Sequence, residues 1–417
     1  MKVLYLCFIW PEPKSSAAGF RTLQQLISLK NANYQVIAAS SCQQNQYQKN
    51  LEEIGIKTYR FLPNDPTIDE FLSEWNPDIV IFDRFMIEEQ FSWRVKQICP
   101  NALRVLDTID LHSLRRARQN DLINDKKNSD TENDFSDDLI REVASIYRSD
   151  ISFLVSDFEY KYLTENLDVD NTLLNISRFY YPDLKSTPKY SERKNFVSIG
   201  NFNHPPNVDS VKLLSHIIWP KIRSLLVNTS NQDAQLHIYG AYPTEEIKKL
   251  DDPKNNFIVK GWAEEATQTL SEYKVNLAPL RFGAGIKGKV SDGWYAGTPC
   301  VGTSIAAEGM CEQHKFGGII EDDFEKFAAC AVNLYSDSDF WLEAQTNGFE
   351  LIQKLYNAEK NSKKFLSAIQ QAYENKQHIR SKNLIGAVLW SSQMRSTQYL
   401  SRWIELKNNQ KITNREN

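Results

Sequence analysis

A chain of 417 residues has room for two or three domains of about 150 residues each, and it can bury a core without disulfide staples. With 41% hydrophobic and 24% charged residues it is not a disordered chain, and a net charge of −4 excludes the global basic field of a nucleic-acid binder. Six scattered cysteines with no CxxC pair read as free thiols in a reducing compartment, and no apolar run approaches the roughly 18 residues of a membrane span. The opening MKVLYLCFIW, followed at once by Pro11 and Pro13, reads as a buried first strand rather than a secretion signal, so a cytoplasmic location is expected.

Residues 2–9 form that strand. After Gly19, residues 20–30 place Phe20, Leu23, Leu26, Ile27 and Leu29 at helical spacing. Further short strands are predicted at 34–39, 57–61, 78–82, 103–107 and 151–155, with helical stretches such as 88–98 between them. Residues 120–139 hold seven acids and two lysines, net −5, which leaves about +1 for the rest of the chain; a surface loop, or a gate over a cleft, is expected there. Residues 181–194, with two prolines and no periodicity, read as a linker.

The alternation then restarts, with strands at 196–199, 235–239, 257–260, 275–278 and 299–302 and a helix over 208–226. Helices at 324–335, 340–356, 362–373 and 383–407 close the chain, the last with Trp390, Leu400, Trp403 and Ile404 on one face that is expected to pack into the core. Strands alternating with helices imply parallel sheets covered on both faces. The expected architecture is therefore α/β: two doubly wound Rossmann-like domains, residues 1–187 and 188–385, facing a cleft, with 386–417 crossing back to the first domain. In such sheets ligands sit beyond the carboxyl ends of the strands.

The richest strand end is APLRFGAGIKGKVSDGWYAGTPCV, residues 278–301. Three glycines alternate with Arg281, Lys287 and Lys289 and open a helix. Glycines admit close backbone approach, and a helix N-terminus offers free amides and partial positive charge, so this pattern suits a diphosphate. Asp292, farther into the helix, is placed to accept hydrogen bonds from sugar hydroxyls. A glycine-rich turn with solvated lysines would look the same. Residues 107–112, DTIDLH, end another strand. His112 there either faces a reacting sugar or simply caps backbone, with Asp107 or Asp110 as its orienting group. Ser15-Ser-Ala-Ala-Gly19 precedes the first helix and reads as a phosphate-facing glycine loop or an ordinary helix start. Arg115, Arg116 and Arg118 read mainly as a solvated helix face. His204, His216, His237, His314 and His378 show no metal-ligand spacing, and no P-loop or G-x-S-x-G occurs.

Residues 281–310 resemble the donor-site segment of glycosyltransferase family 4 and its close relatives, the group 1 glycosyl transferases of GT-B architecture. Residues 196–209, 236–240, 261–262, 1–29 and 103–118, with Ser156 and Glu159, are similar to other parts of that family. The resemblance implies a nucleotide-sugar-dependent, hexosyltransferase-like enzyme that retains anomeric configuration and needs no metal or other cofactor. It implies that Arg281 and Lys287 stabilise the leaving diphosphate, that His112 faces the sugar from the acceptor side, and that Gly19, Gly240, Gly283, Gly285, Asp292 and Glu308 surround the donor. Asp292 stands where the family has the second of two glutamates; the first falls at Ala284. The acceptor stays open among glycan, lipid-linked sugar, protein and small molecule, with peripheral membrane contact compatible. A nucleotide-sugar epimerase and a non-catalytic nucleotide-sugar-binding protein are the rival readings.

Overall fold

The computed structural model describes residues 1–124 and 135–416. Seven parallel strands, β1 (Lys2–Leu6), β2 (Gln35–Ser40), β3 (Lys57–Arg60), β4 (Ile79–Asp83), β5 (Leu103–Asp107), β6 (Ile151–Leu154) and β7 (Leu174–Ile176), form a sheet in the order β3-β2-β1-β4-β5-β6-β7. Six more, β8 (Lys194–Ile199), β9 (Leu236–Tyr239), β10 (Phe257–Gly261), β11 (Tyr273–Ala278), β12 (Cys300–Gly302) and β13 (Gly318–Ile320), form a second parallel sheet in the order β10-β9-β8-β11-β12-β13. The helices that matter below are α1 (Ala17–Asn31), α2 (Phe85–Ile98), α3 (His112–Ile123), α4 (Asp137–Arg148), α5 (Pro205–Leu213), α6 (Gly288–Tyr295), α7 (Ala358–Lys382) and α8 (Leu384–Glu416).

The continuous apolar runs of β1, β4 and β5 are those of strands buried on both faces. Alternate side chains go to opposite sides: Leu4, Leu6, Val80, Phe82 and Leu106 join one core cluster, and Val3, Tyr5, Ile79, Ile81 and Val105 join the other. The second sheet buries Phe196, Leu236, Val275 and Leu277 with Trp219 and Trp341 on one side, and Ala278, Cys300, Val290 and Trp294 on the other. All six cysteines are free. Among the described residues no helix is long and apolar enough to cross a membrane.

Four expectations change. β1 ends at Leu6 rather than residue 9, because residues 7–16 leave the sheet to line the cleft; α1 then starts early, at Ala17, where the Ser16 hydroxyl accepts the Gly19 N–H at 3.0 Å. The return to the first domain begins at Ala358, not 386. Phe365, Ala368, Ile369 and Ala372 of α7 pack with Val3 and Tyr5, and helical spacing alone does not say which domain an apolar face meets. On α8, Trp390 and Met394 pack against Trp93, but Leu400 and Trp403 are 59% and 56% exposed, so the expected apolar face is only half used. The acidic stretch is not all loop: residues 120–123 finish α3 and Asp137 opens α4 behind the Ser136 cap, while residues 125–134 lie outside the described residues.

Gly19 is a packing position. A Cβ there would stand 2.5–2.6 Å from the backbone of Glu12. Gly19→Ala is therefore expected to cost about 1–3 kcal/mol through overpacking. Urea unfolding would read this, and wild-type stability in the variant would contradict it.

Candidate active site in the interdomain cleft

Strand order reverses between β1 and β4 in one sheet and between β8 and β11 in the other. At such switch points the loops diverge and leave a crevice. Here the two crevices face each other and enclose a cavity of about 980 Å³, walled by the loops after β1, β4, β5, β8, β9 and β11.

The second domain contributes a cationic wall. Lys287 is the residue before α6, and its side chain is buried with Nζ 3.5 Å from the Glu308 carbonyl oxygen and 3.9 Å from Glu308 Oε1. Burial pushes its ammonium down to about 8, against the opposing pull of Glu308 and Glu159. Lys289, one residue into α6, also lines the cavity and is likewise pushed down to about 8 by burial. The first-turn amides of α6 have no intrahelical acceptor, and both lysines stand at that end of the helix. One turn along, Asp292 accepts the Tyr181 hydroxyl at 2.6 Å; burial pushes its carboxyl up to about 6 while that bond pulls it down. Gly283 and Gly240 also line the cavity, and at Gly240 a Cβ would meet the Gly200 carbonyl oxygen at 2.0 Å.

The first domain contributes His112 at the start of α3. Its Nε2 stands 3.1 Å from Asp110 Oδ1, while its Nδ1 is buried without a hydrogen-bond partner among the described residues. Asp110, not Asp107, is the orienting carboxylate: Asp107 is spent on a buried pair with Arg21 and accepts the Tyr5 hydroxyl at 3.0 Å. Burial raises Asp110, but Arg115 at 3.3 Å and His112 outweigh it and hold the carboxyl well below the usual range. Two buried glutamates fix the turn beneath. Glu142 accepts the His112 N–H at 2.7 Å and the Ser113 N–H at 2.9 Å; Glu159 accepts the Leu111 N–H at 2.9 Å. Burial pushes Glu159 up to about 7. Ile109 in the same loop has φ +65°, a conformation β-branched residues avoid, and such strain is typical of functional loops.

Several predicted site residues stand elsewhere. Arg281 is paired in a fork with Asp209 of α5 and is off the cavity wall, because Asp209 is the nearest compensating charge. Glu308 forms a bidentate pair with Arg118, both contacts at 2.7 Å, and faces a smaller cavity of about 460 Å³. Gly19 and Gly285 are also off the wall. Gly285, at φ +66°, has a would-be Cβ 2.8 Å from the Asp110 Cβ, so the donor loop rests directly on the His112 loop. The arginine run is not a solvated face: Arg118 also donates to the Gly283 carbonyl oxygen at 2.7 Å, Arg115 pairs with Asp110, and Arg116 pairs with Asp138.

Sequence reasoning missed Arg84, Tyr181 and the far edge of the cleft. Arg84 follows a strand end, which was the available signal; Tyr181 lay in the apparent linker. His204, dismissed for lack of metal spacing, lines the cavity, and burial pushes its imidazole down to about 4. At the far edge Tyr242 donates to Glu12 at 2.9 Å, Trp262 donates to the Lys14 carbonyl oxygen at 3.1 Å, and Tyr47 packs against both rings.

Residues 193–337 match the family of group 1 glycosyl transferases. No curated protein sequence matches the chain. Among solved structures, Anabaena HepE in complex with UDP-glucose has a TM-score of 0.67 at 10% identity, covering 89% of this chain and 100% of that one. A mutant of S. aureus TarM, in complex with fondaparinux, α-GlcNAc-glycerol and UDP, has 0.66 at 12%, covering 88% and 99%. The pneumococcal O-GlcNAc transferase GtfA, in complex with UDP and GlcNAc, has 0.63 at 11%, covering 89% and 99%. Those likenesses establish the fold: two facing Rossmann-like domains, the GT-B architecture. With the family match over residues 193–337, the second domain resembles the group 1 glycosyl transferases.

Tyr181→Phe removes the hydroxyl that stabilises the Asp292 carboxylate. Asp292 should then titrate above its present value of about 6. If Asp292 must be ionised to accept ribose hydroxyls, nucleotide affinity falls as pH drops through that value, and the fall should begin at higher pH in the variant. Calorimetric titration between pH 5 and 8 checks this; superimposable curves would contradict it.

Proposed function

We propose that the protein moves a sugar from a nucleotide diphosphate sugar to an acceptor hydroxyl held against the first domain, with retention and without a metal. The observation that carries this reading is the buried Lys287 at the start of α6, facing the interdomain cavity with Lys289 beside it. A diphosphate there meets two ammoniums and the helix amides. The anomeric carbon–oxygen bond breaks, the pair of electrons stays on the diphosphate, and the preorganised charge stabilises it. The acceptor oxygen bonds to the same carbon from the same face, and its proton passes to the departing phosphate oxygen. Asp292 holds the ribose and His112 bears on the sugar from the other wall. The cations do the electrostatic work a divalent ion would otherwise do, so transfer is expected to persist in EDTA. UDP in the complexes of HepE, TarM and GtfA supports a uridine nucleotide as the first donor to test.

Ala284, on the cavity wall at the position where the family resemblance implies a glutamate, supports the second reading, a binder without turnover. Donor binding with no transfer to a broad acceptor panel would favour it.

Lys287→Ala should lower the transfer rate by about 10²–10³-fold, the usual effect of deleting one preorganised charged donor. Arg281→Ala should cost much less, because Asp209 already engages that guanidinium. In the wild type the rate should decline above pH 8, as Lys287 loses its proton, since the charged form is the one that stabilises the leaving group. Steady-state kinetics of both variants and a pH–rate profile test these points; equal losses, or a rate still rising above pH 9, would contradict the assignment.

A further inference from the structure

Arg84 has no place in the donor chemistry, yet it is held in the cleft at a conformational cost. It sits at φ +74°, ψ 159°, a region that is essentially glycine-only, between β4 and α2. The residue is 8% exposed and lines the cavity. Its nearest carboxylate oxygen, Asp83 Oδ1, is 3.8 Å from Nε, beyond hydrogen-bond distance, and Asp83 Oδ2 is already taken by the Phe8 N–H at 2.9 Å. The guanidinium carbon lies 4.8 Å from the centroid of the Phe8 ring.

The other cations of this wall stand closer to a carboxylate, Arg115 to Asp110, Arg116 to Asp138, and Lys14 to Glu264 and Glu265, whereas Arg84 has only the looser ion pair with Asp83. Among the described residues, Arg84 is the arginine of the first-domain wall with no carboxylate in hydrogen-bond reach. Directly after it α2 begins, and first-turn amides of a helix have no intrahelical acceptor; Met86 of that turn also lines the cavity. A nearly buried guanidinium without a hydrogen-bonded partner, beside a helix start, is a site prepared for a planar or tetrahedral oxyanion. Arg84 belongs to the acceptor domain and neighbours Asp110 and His204, whereas Lys287 and Lys289 hold the donor side.

We propose that the acceptor carries an anionic group, a phosphate or a carboxylate, and that Arg84 with the start of α2 binds it beside the hydroxyl that receives the sugar. This rests on the donor-site reading above. The backbone strain is then the cost of aiming the guanidinium, so Arg84→Gly should relieve it.

The test uses the full chain, saturated with whichever nucleoside diphosphate binds, and titrates glucose 6-phosphate, glucuronate and glucose by calorimetry. The proposal expects one of the charged sugars to bind at least about tenfold more tightly than glucose, the scale of one charge-assisted contact. The phosphate and carboxylate arms tell the two anions apart. Arg84→Gly should lose that preference, keep nucleotide affinity, and melt at a higher temperature than the wild type. Arg84→Met, which keeps the stem over Phe8, serves if glycine loosens α2. Equal binding of charged and neutral sugars, or no binding of either charged sugar, overturns the proposal. So does a weakened nucleotide in Arg84→Gly, which would move Arg84 to the donor diphosphate. Failure of every nucleotide to bind the wild type sinks the donor-site reading instead, and the sugar titrations then decide the anion site without nucleotide.

Discussion

A buried ammonium without full compensation is the constraint around which the cleft is organised. Taking a lysine out of water is costly unless negative charge meets it. Lys287 is nearly enclosed, yet the nearest carboxylate, Glu308, is 3.9 Å away and already gripped by Arg118. Lys289, half-buried, adds a second cation one residue into α6. The cationic charge of this wall is thus met only in part, by Glu308 at 3.9 Å. In the function we propose, a diphosphate supplies the missing partners, and the charge is prearranged for departure of the leaving group.

The two domains are joined at the point where this charge sits. Gly285 rests on Asp110, and a Cβ on Gly288 would stand 2.6 Å from the Ala17 Cβ, so the start of α6 abuts the start of α1. Arg118 reaches across from α3 to the Gly283 carbonyl oxygen and to Glu308. The donor loop is therefore shaped partly by the acceptor domain. Glu142 and Glu159, buried beneath α3, fix the turn that presents His112, so a shift in that turn would be felt on both walls.

Much of this was legible before the structure. The β1, β4 and β5 runs are continuous and apolar because those strands are buried on both faces, and their period separates them from the helices. The loop 278–301 was legible as a wall of the cleft because glycines and cations cluster there at a strand end. Pairings were not. Arg281 looked like a partner of Lys287, but Asp209, distant in sequence, claims it. Arg118 looked solvated because Glu308 is 190 residues away along the chain. The side on which α7 packs was also hidden, since an apolar helical face reads the same against either sheet. Tyr181 and Arg84 are single residues at chain crossings, where position comes from topology and not from local pattern.

Whether the cleft takes a nucleotide diphosphate through Lys287 is decided by a thermal-shift series of nucleoside diphosphates and their sugars, with and without EDTA, on the wild type and Lys287→Ala. A ligand at about 100 times its Kd should stabilise the wild type by about 2.7 kcal/mol. One nucleotide should give a shift that is unchanged by EDTA and lost in the variant. No shift with any nucleotide, or the same shift in Lys287→Ala, would contradict it.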